Sequence, residues 1–284
     1  MTGTKRSWEG NLVQIPKETN MAPEDNSGDA DSSIMQHIFS TFRSELDEHH
    51  DRRERVIKAS RDITALSKKI IFSLHRVRAL NKPLPKNIAK ENHERLTQIT
   101  SLFASVVPDL AGINAHRYHT QISPGIQEYI EAVTFQHYVE TQRLMSLEGV
   151  TKSLPAGMLV TEADYILGIF DLTGEMMRFA ITTMAAGSTI NMPVDGANGE
   201  GSDDQGNGGR AGILIDLQQL RAMFESINVP RGHNLNRDFG KKLEVMQSSV
   251  EKVERAAYGL LVRGSERPGG WMPDLSAPAQ VETY

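Results

Sequence analysis

Two glutamates, Glu128 and Glu131, stand three residues apart in the segment Gln127-Glu128-Tyr129-Ile130-Glu131-Ala132-Val133-Thr134-Phe135. On a helix turning about 100° per residue, Glu128, Ala132, Phe135, Tyr138 and Val139 all fall within about 100° of Glu131, which embeds both acids in an apolar sector. A carboxylate removed from water must be protonated, paired or bound to a cation, because an unpaired buried ion costs several kcal/mol. A buried salt bridge is one resolution; a metal or catalytic role is the other.

Asp171 and Glu175 pose the same question one helix later. Asp164, Asp171, Glu175, Arg178 and Thr182 share a polar stripe about 60° wide, while Ile166, Ile169, Phe170, Leu172, Met176, Met177, Ala180 and Ile181 fill most other directions. Gly168 and Gly174 flank the stripe and would let a neighbouring helix or a substrate come near. If the two helices are neighbours, Glu128, Glu131, Asp171 and Glu175 can surround one point. Oxygen ligands of this kind suit magnesium, with manganese as the alternative, and such ions serve phosphodiester or phosphoanhydride cleavage. The chain has no cysteine, and neither helix carries the Glu-x-x-His pairs of a di-iron bundle. His116-x-x-His119 has zinc-like spacing but no acidic third ligand in view.

Cations concentrate elsewhere. Nine lysines and arginines between Arg52 and Arg78, among them Arg52, Arg55, Lys58, Lys68 and Lys69, face only Glu54 and Asp62. In a chain of net charge −5, this local excess is either a solvated helix face or a sequence-independent contact for a phosphate backbone.

The elements that must position these groups are helices. Steps of three and four link Phe42, Leu46, His49, Arg53, Val56, Ser60, Ile63, Ser67, Ile70, Leu74 and Val77, predicting one helix over about 34–80. Further helices are predicted over about 87–107, from the Ser123-Pro124 start to about Met145, from the box Thr161-Glu162-Ala163-Asp164 to about Gly187, and over about 213–227 and 236–262. A shorter segment lies near 108–119. No strand alternation exceeds a few residues. The expectation is an all-α domain over 34–264, with a disordered tail at 1–33, a glycine-rich disordered insert at 196–212 and a C-terminal tail at 265–284. No apolar run reaches the roughly 20 residues of a membrane span, which predicts a soluble chain with no membrane partner.

The segments Leu46-Asp47-Glu48-His49-His50-Asp51-Arg52-Arg53-Glu54-Arg55 and Ile71-Phe72-Ser73-Leu74-His75-Arg76 resemble the first helix of the translin superfamily. Gln127 to His137, Asp164-Tyr165-Ile166-Leu167-Gly168, Asp171 to Arg178 and Val262-Arg263-Gly264-Ser265-Glu266 are similar to its TRAX (translin-associated factor X) branch. The resemblance covers roughly residues 38–266. It implies a seven-helix bundle that assembles with translin into a hollow hetero-oligomer, an octamer, and carries a magnesium-dependent endoribonuclease activity on single-stranded RNA. By it, the catalytic acids are Glu128, Glu131 and Asp171, with Glu175 as a further acid at the metal; single-stranded DNA stays open as a second ligand. Lys5-Arg6 is too short for an import cluster, so a cytoplasmic location is expected and a nuclear one is open. Two rivals remain: a non-catalytic single-stranded RNA- or DNA-binding scaffold, and an all-α nucleotide pyrophosphatase.

Overall fold

The computed structural model describes residues 29–185, 209–230, 232–233 and 235–263. Most of the expected tails and of the glycine-rich insert lie outside these residues. Eight α-helices and one 3-10 turn make up the described elements. They are α1 (Asp29–Leu74), α2 (Lys86–Val106), α3 (Asn114–Arg117), α4 (His119–Thr141), α5 (Leu147–Lys152), α6 (Glu162–Ala185), α7 (Gly209–Glu225) and α8 (Asn236–Arg263), with the 3-10 turn at Pro108–Leu110. The all-α class is as expected; against the seven segments expected from the sequence, the short α5 is the helix without a counterpart. Several boundaries differ from the sequence expectation, among them α1, which begins at Asp29, inside the expected tail, and ends at Leu74, short of the expected 80, and α7, which begins at Gly209, inside the glycine-rich stretch. None of the described helices is long and apolar enough to cross a membrane.

The chain divides into two compact units at His49 and His50. In the first, the described residues are helical. Met35, Ile38, Phe39, Phe42 and Leu46 are exposed there, so the stripe read from the sequence is not core at Phe42 and Leu46. In the second unit the same periodicity is core: Val56, Ser60, Ile63, Ser67, Ile70, Leu74 and Val77 are all buried.

Within this second unit, α4 and α6 form the centre. They run side by side in the same direction, as three levels of contact show: Ser123 bonds Asp164, Gly168 packs on Ile130, and the Phe135 and Phe179 rings meet edge to face at 6.2 Å. α1 also runs parallel to α4, with Ser60 Oγ accepting from the Gly125 amide at 3.1 Å and the His75 ring 5.2 Å from that of Phe135. α2 returns antiparallel, pinned where Ser73 Oγ donates to Asn92 Oδ1 at 2.6 Å and where Phe103 meets Tyr129. Phe170 of α6 stacks on Phe224 of α7 at 3.9 Å and meets Phe239 of α8 edge-on.

The start of α4 corrects the sequence reading. The helix begins at His119, and Pro124 lies inside it. A proline this close to a helix start removes only one ladder bond. Ser123, read as a cap, instead donates its hydroxyl to Asp164 Oδ1 at 2.5 Å. The box at the start of α6 forms as expected: Thr161 Oγ1 accepts from the Asp164 amide at 3.1 Å, and Asp164 Oδ2 accepts from the Thr161 amide at 3.2 Å.

Candidate metal and phosphate site

Gly168 decides how near α4 and α6 can come. A Cβ there would stand 2.7 Å from Ile130 Cγ2 and 3.1 Å from the Gln127 carbonyl, so only glycine permits this approach. Gln127 and Ile130 neighbour Glu128 and Glu131 in the chain, and Asp171 lies one turn beyond Gly168. The close crossing thus brings the acids of the two helices toward one another. Gly174 has nothing within 4 Å of its Cβ direction and leaves open space beside Glu175.

Glu131 is the buried member of the group, 8% exposed. Burial, then the neighbouring charges of Glu128, Asp171 and Glu175, push its carboxyl up to about 8, against a smaller opposing pull from Lys242. Glu128 is raised as well, first by burial, with Lys68 opposing and Asp171 and Glu175 adding to it. Glu128 and Glu131 on α4 therefore both feel the charges of Asp171 and Glu175 on α6.

Each of the other three acids pairs with a basic side chain and Glu131 does not, although the charge of Lys242 reaches it. Glu128 faces Lys68 at 3.7 Å, Asp171 accepts from Lys242 Nζ at 2.5 Å, and Glu175 pairs with His75 and, at 3.5 Å, with Arg178. No hydrogen bond or ion pair reaches the Glu131 carboxylate from the described residues. As placed, no three His, Asp or Glu side chains among the described residues are drawn close enough to hold one ion. The donor set nevertheless fits a hard divalent cation: four carboxylates on two helices, one of them buried without a counter-charge.

A translin-family sequence profile matches residues 51–264. The chain belongs to the translin family. Translin-associated protein X of Rattus norvegicus is 33% identical over 268 residues, covering 86% of this chain and 84% of the relative. The Schizosaccharomyces pombe translin-associated protein X homolog is 30% identical over 242 residues, with 82% and 91% covered. Homo sapiens translin is more distant, 22% identical over 235 residues, with 80% and 92% covered. Among solved structures, a chain of apo-NeC3PO superposes with a TM-score of 0.56 at 19% identity, over 76% of this chain and 94% of that one. A chain of AfC3PO does so with a TM-score of 0.54, also at 19% identity, over 79% and 97%. The helical arrangement described above is thus the fold of that family.

The remaining sequence candidates separate. Arg55 makes a two-pronged bond to Asp109, Nε to Oδ2 at 2.9 Å and Nη2 to Oδ1 at 2.7 Å, and Arg52 Nε stands 3.5 Å from the same carboxylate. Despite partial burial, these guanidiniums hold Asp109 below the usual carboxylate range. Arg52 and Arg55 therefore fix α1 to the 3-10 turn, a structural task that charge counting along α1 did not separate from phosphate binding. Lys58 and Lys69 are exposed on the outer face of α1, and Lys68 reaches toward Glu128. The zinc-like histidine pair also resolves: His119 contacts Asp164 at 2.8 Å, whereas His116 is exposed.

Two residues in contact with the acids, His75 and Lys242, are absent from the sequence reading. Lys242 had a usable signal, because it lies on the same stripe of α8 as buried Phe239, Met246 and Val250. A lysine on an apolar stripe invites the question asked of Glu131. His75 had only its place in the family-like segment of α1.

Proposed function

We propose that this chain is the catalytic subunit of a translin-type hetero-oligomer and cleaves single-stranded RNA with a divalent cation, magnesium or manganese, held by Glu128, Glu131, Asp171 and Glu175. The observation that carries the reading is Glu131, a buried carboxylate without a counter-charge among three others. Without a cation, burial and the neighbouring charges keep this group protonated up to about 8; a divalent ion among the four acids would let it ionise. A bound divalent ion would supply charge neutralisation at the phosphate and a water acidified enough to attack it.

The residues of the chain account for the rest. Glu131 fixes the negative centre from the rigid middle of α4. Asp171 and Glu175, on the neighbouring helix, would offer oxygens that in the chain alone contact Lys242 and His75. Lys68, near Glu128 with its ammonium largely exposed, is placed to meet a phosphate oxygen approaching the acids. The sequence similarity to translin-associated protein X of rat and fission yeast supports translin as the partner.

The test is cleavage of a single-stranded oligoribonucleotide by the chain assembled with translin, wild type against Glu131→Ala. Loss of the magnesium-dependent rate by roughly a thousandfold or more is the expected result for removal of a ligand central to charge stabilisation. An unchanged rate would remove the acids from the chemistry. Release of pyrophosphate from a nucleoside triphosphate would favour the pyrophosphatase reading instead.

A further inference from the structure

Phe72 is 76% exposed, more than any other large apolar side chain described. It lies on α1 in the second unit, one helical turn from Lys68 and Lys69, and Arg76, in the turn just past the end of the helix, lines the same groove. α2 supplies the opposite wall. A groove of 440 Å³ between the two helices is lined by Phe72 with Lys68, Lys69, Arg76 and Arg95, against the single carboxylate Glu91. Glu91 bridges Arg76 at 3.0 Å and Arg95 at 3.3 Å, which holds both guanidiniums along the groove. Lys69 also borders a second depression of 570 Å³, whose polar lining is Asp62, Thr97, Gln98, Ser101 and Ser105. Those hydroxyls donate to carbonyls of the preceding turn and leave their oxygens as acceptors.

We infer that this groove is a binding site for single-stranded polynucleotide, in which one base stacks on the Phe72 ring while Lys69 and Arg76 meet the flanking phosphates. An exposed aromatic ring set among cations, on a chain of net charge −5, is the combination that single strands use: stacking is indifferent to base identity, and the cations follow the backbone. An apolar protein partner would find four cations around one ring. A duplex hides its base faces and could use the cations alone. The location gives the site a purpose. Lys68 lines the groove and also faces Glu128, and His75, one turn from Phe72, pairs with Glu175. The groove therefore opens at the edge of the acid cluster, and a strand seated on Phe72 leads toward Glu128 and Glu175. This last step rests on the phosphodiester reading of the acids; the binding does not.

The experiment is photo-cross-linking of a single-stranded oligonucleotide carrying 5-iodouracil, in RNA and DNA forms, to the full chain assembled with translin. EDTA is present so that no cleavage intervenes, and adducts are mapped by mass spectrometry. An adduct on Phe72 with either strand is expected, lost when the same sequence is annealed into a duplex. In parallel, Phe72→Ala and Phe72→Leu should weaken strand binding roughly 5- to 100-fold, and Phe72→Trp should preserve it. Adducts elsewhere on the chain with none on Phe72, or equal binding by wild type and Phe72→Ala, would overturn the inference. So would failure of Phe72→Ala to assemble with translin, since that would assign the ring to a protein interface. Failure of the catalytic reading is a separate outcome: binding and the Phe72 adduct would persist while Glu131→Ala left cleavage unchanged.

Discussion

α4 and α6 meet at two acidic centres about two turns apart, and the centres are built in opposite ways. At the start of α6, Asp164 is 1% exposed and accepts from His119, Ser123, Gln127 and Thr161. Burial alone would raise its pKa, but the bonds from His119, Ser123 and Thr161 outweigh it and hold the carboxyl down at about 2. His119 is raised in return by that bond, against its own burial. Further along, Glu131 is buried with no hydrogen-bond partner from the described residues and is pushed up to about 8. Equal burial of a carboxylate thus has two meanings. A satisfied acid locks the helices together; an unsatisfied one among like charges is, on the proposed reading, the place for a cation.

The largest expected effect falls on the satisfied centre. Asp164→Ala orphans five donors and should lower unfolding free energy by about 3–5 kcal/mol in chemical denaturation of the assembled chain. A loss below roughly 1 kcal/mol would show that the bonds around Asp164 do not tie α4 to α6. Glu131→Gln should move stability the other way. Between about 4.5 and about 8 the folded protein holds a proton on Glu131 that the unfolded chain has released, so rising pH destabilises the metal-free wild type across that window. Glutamine removes this slope and should stabilise by about 1–3 kcal/mol above pH 8 in EDTA. Asp164 gives the opposite slope: its contribution is complete above about 3.8 and is lost as pH falls toward about 2. Parallel pH profiles for Glu131→Gln and wild type would erase the contrast.

Two glycines of α6 sharpen it at smaller scale. Gly168→Ala drives a methyl against Ile130 and should cost about 1–3 kcal/mol, because the helices must separate. Gly174→Ala meets open space and should add about 0.5–1 kcal/mol of stability through helix propensity. Thermal unfolding of both variants checks the pair. If they shift Tm in the same direction, Gly168 is not the point of closest approach.

The sequence made the acids legible because a charge inside an apolar sector violates a simple period. Glu128, Glu131, Asp171 and Glu175 needed no structure to be singled out, and neither did the core stripe of α1 from Val56 to Val77. What the period could not show is which cations lie across from them. Lys68 on α1, His75 just past its end and Lys242 on α8 reach the acids through tertiary packing, far apart in the chain. The same limit hid the task of Asp164, which shares a stripe with Asp171 but lies beside His119 and Ser123 of another helix. It also misplaced the start of α4: Ser123-Pro124 has the chemistry of a cap, yet packing against Asp164 carries the helix back to His119. In the first unit, Phe42 and Leu46 keep the helical period although they are exposed, and periodicity alone does not distinguish a covered face from an uncovered one.

The account stands most directly on cation binding at Glu131. Mn2+ titration of the chain assembled with translin, followed by electron paramagnetic resonance above pH 8 where Glu131 is ionised, should show bound ion in the wild type and affinity weakened at least roughly tenfold in Glu131→Gln. Equal affinity and stoichiometry in the two proteins would contradict it and leave the buried carboxylate a structural oddity of the bundle.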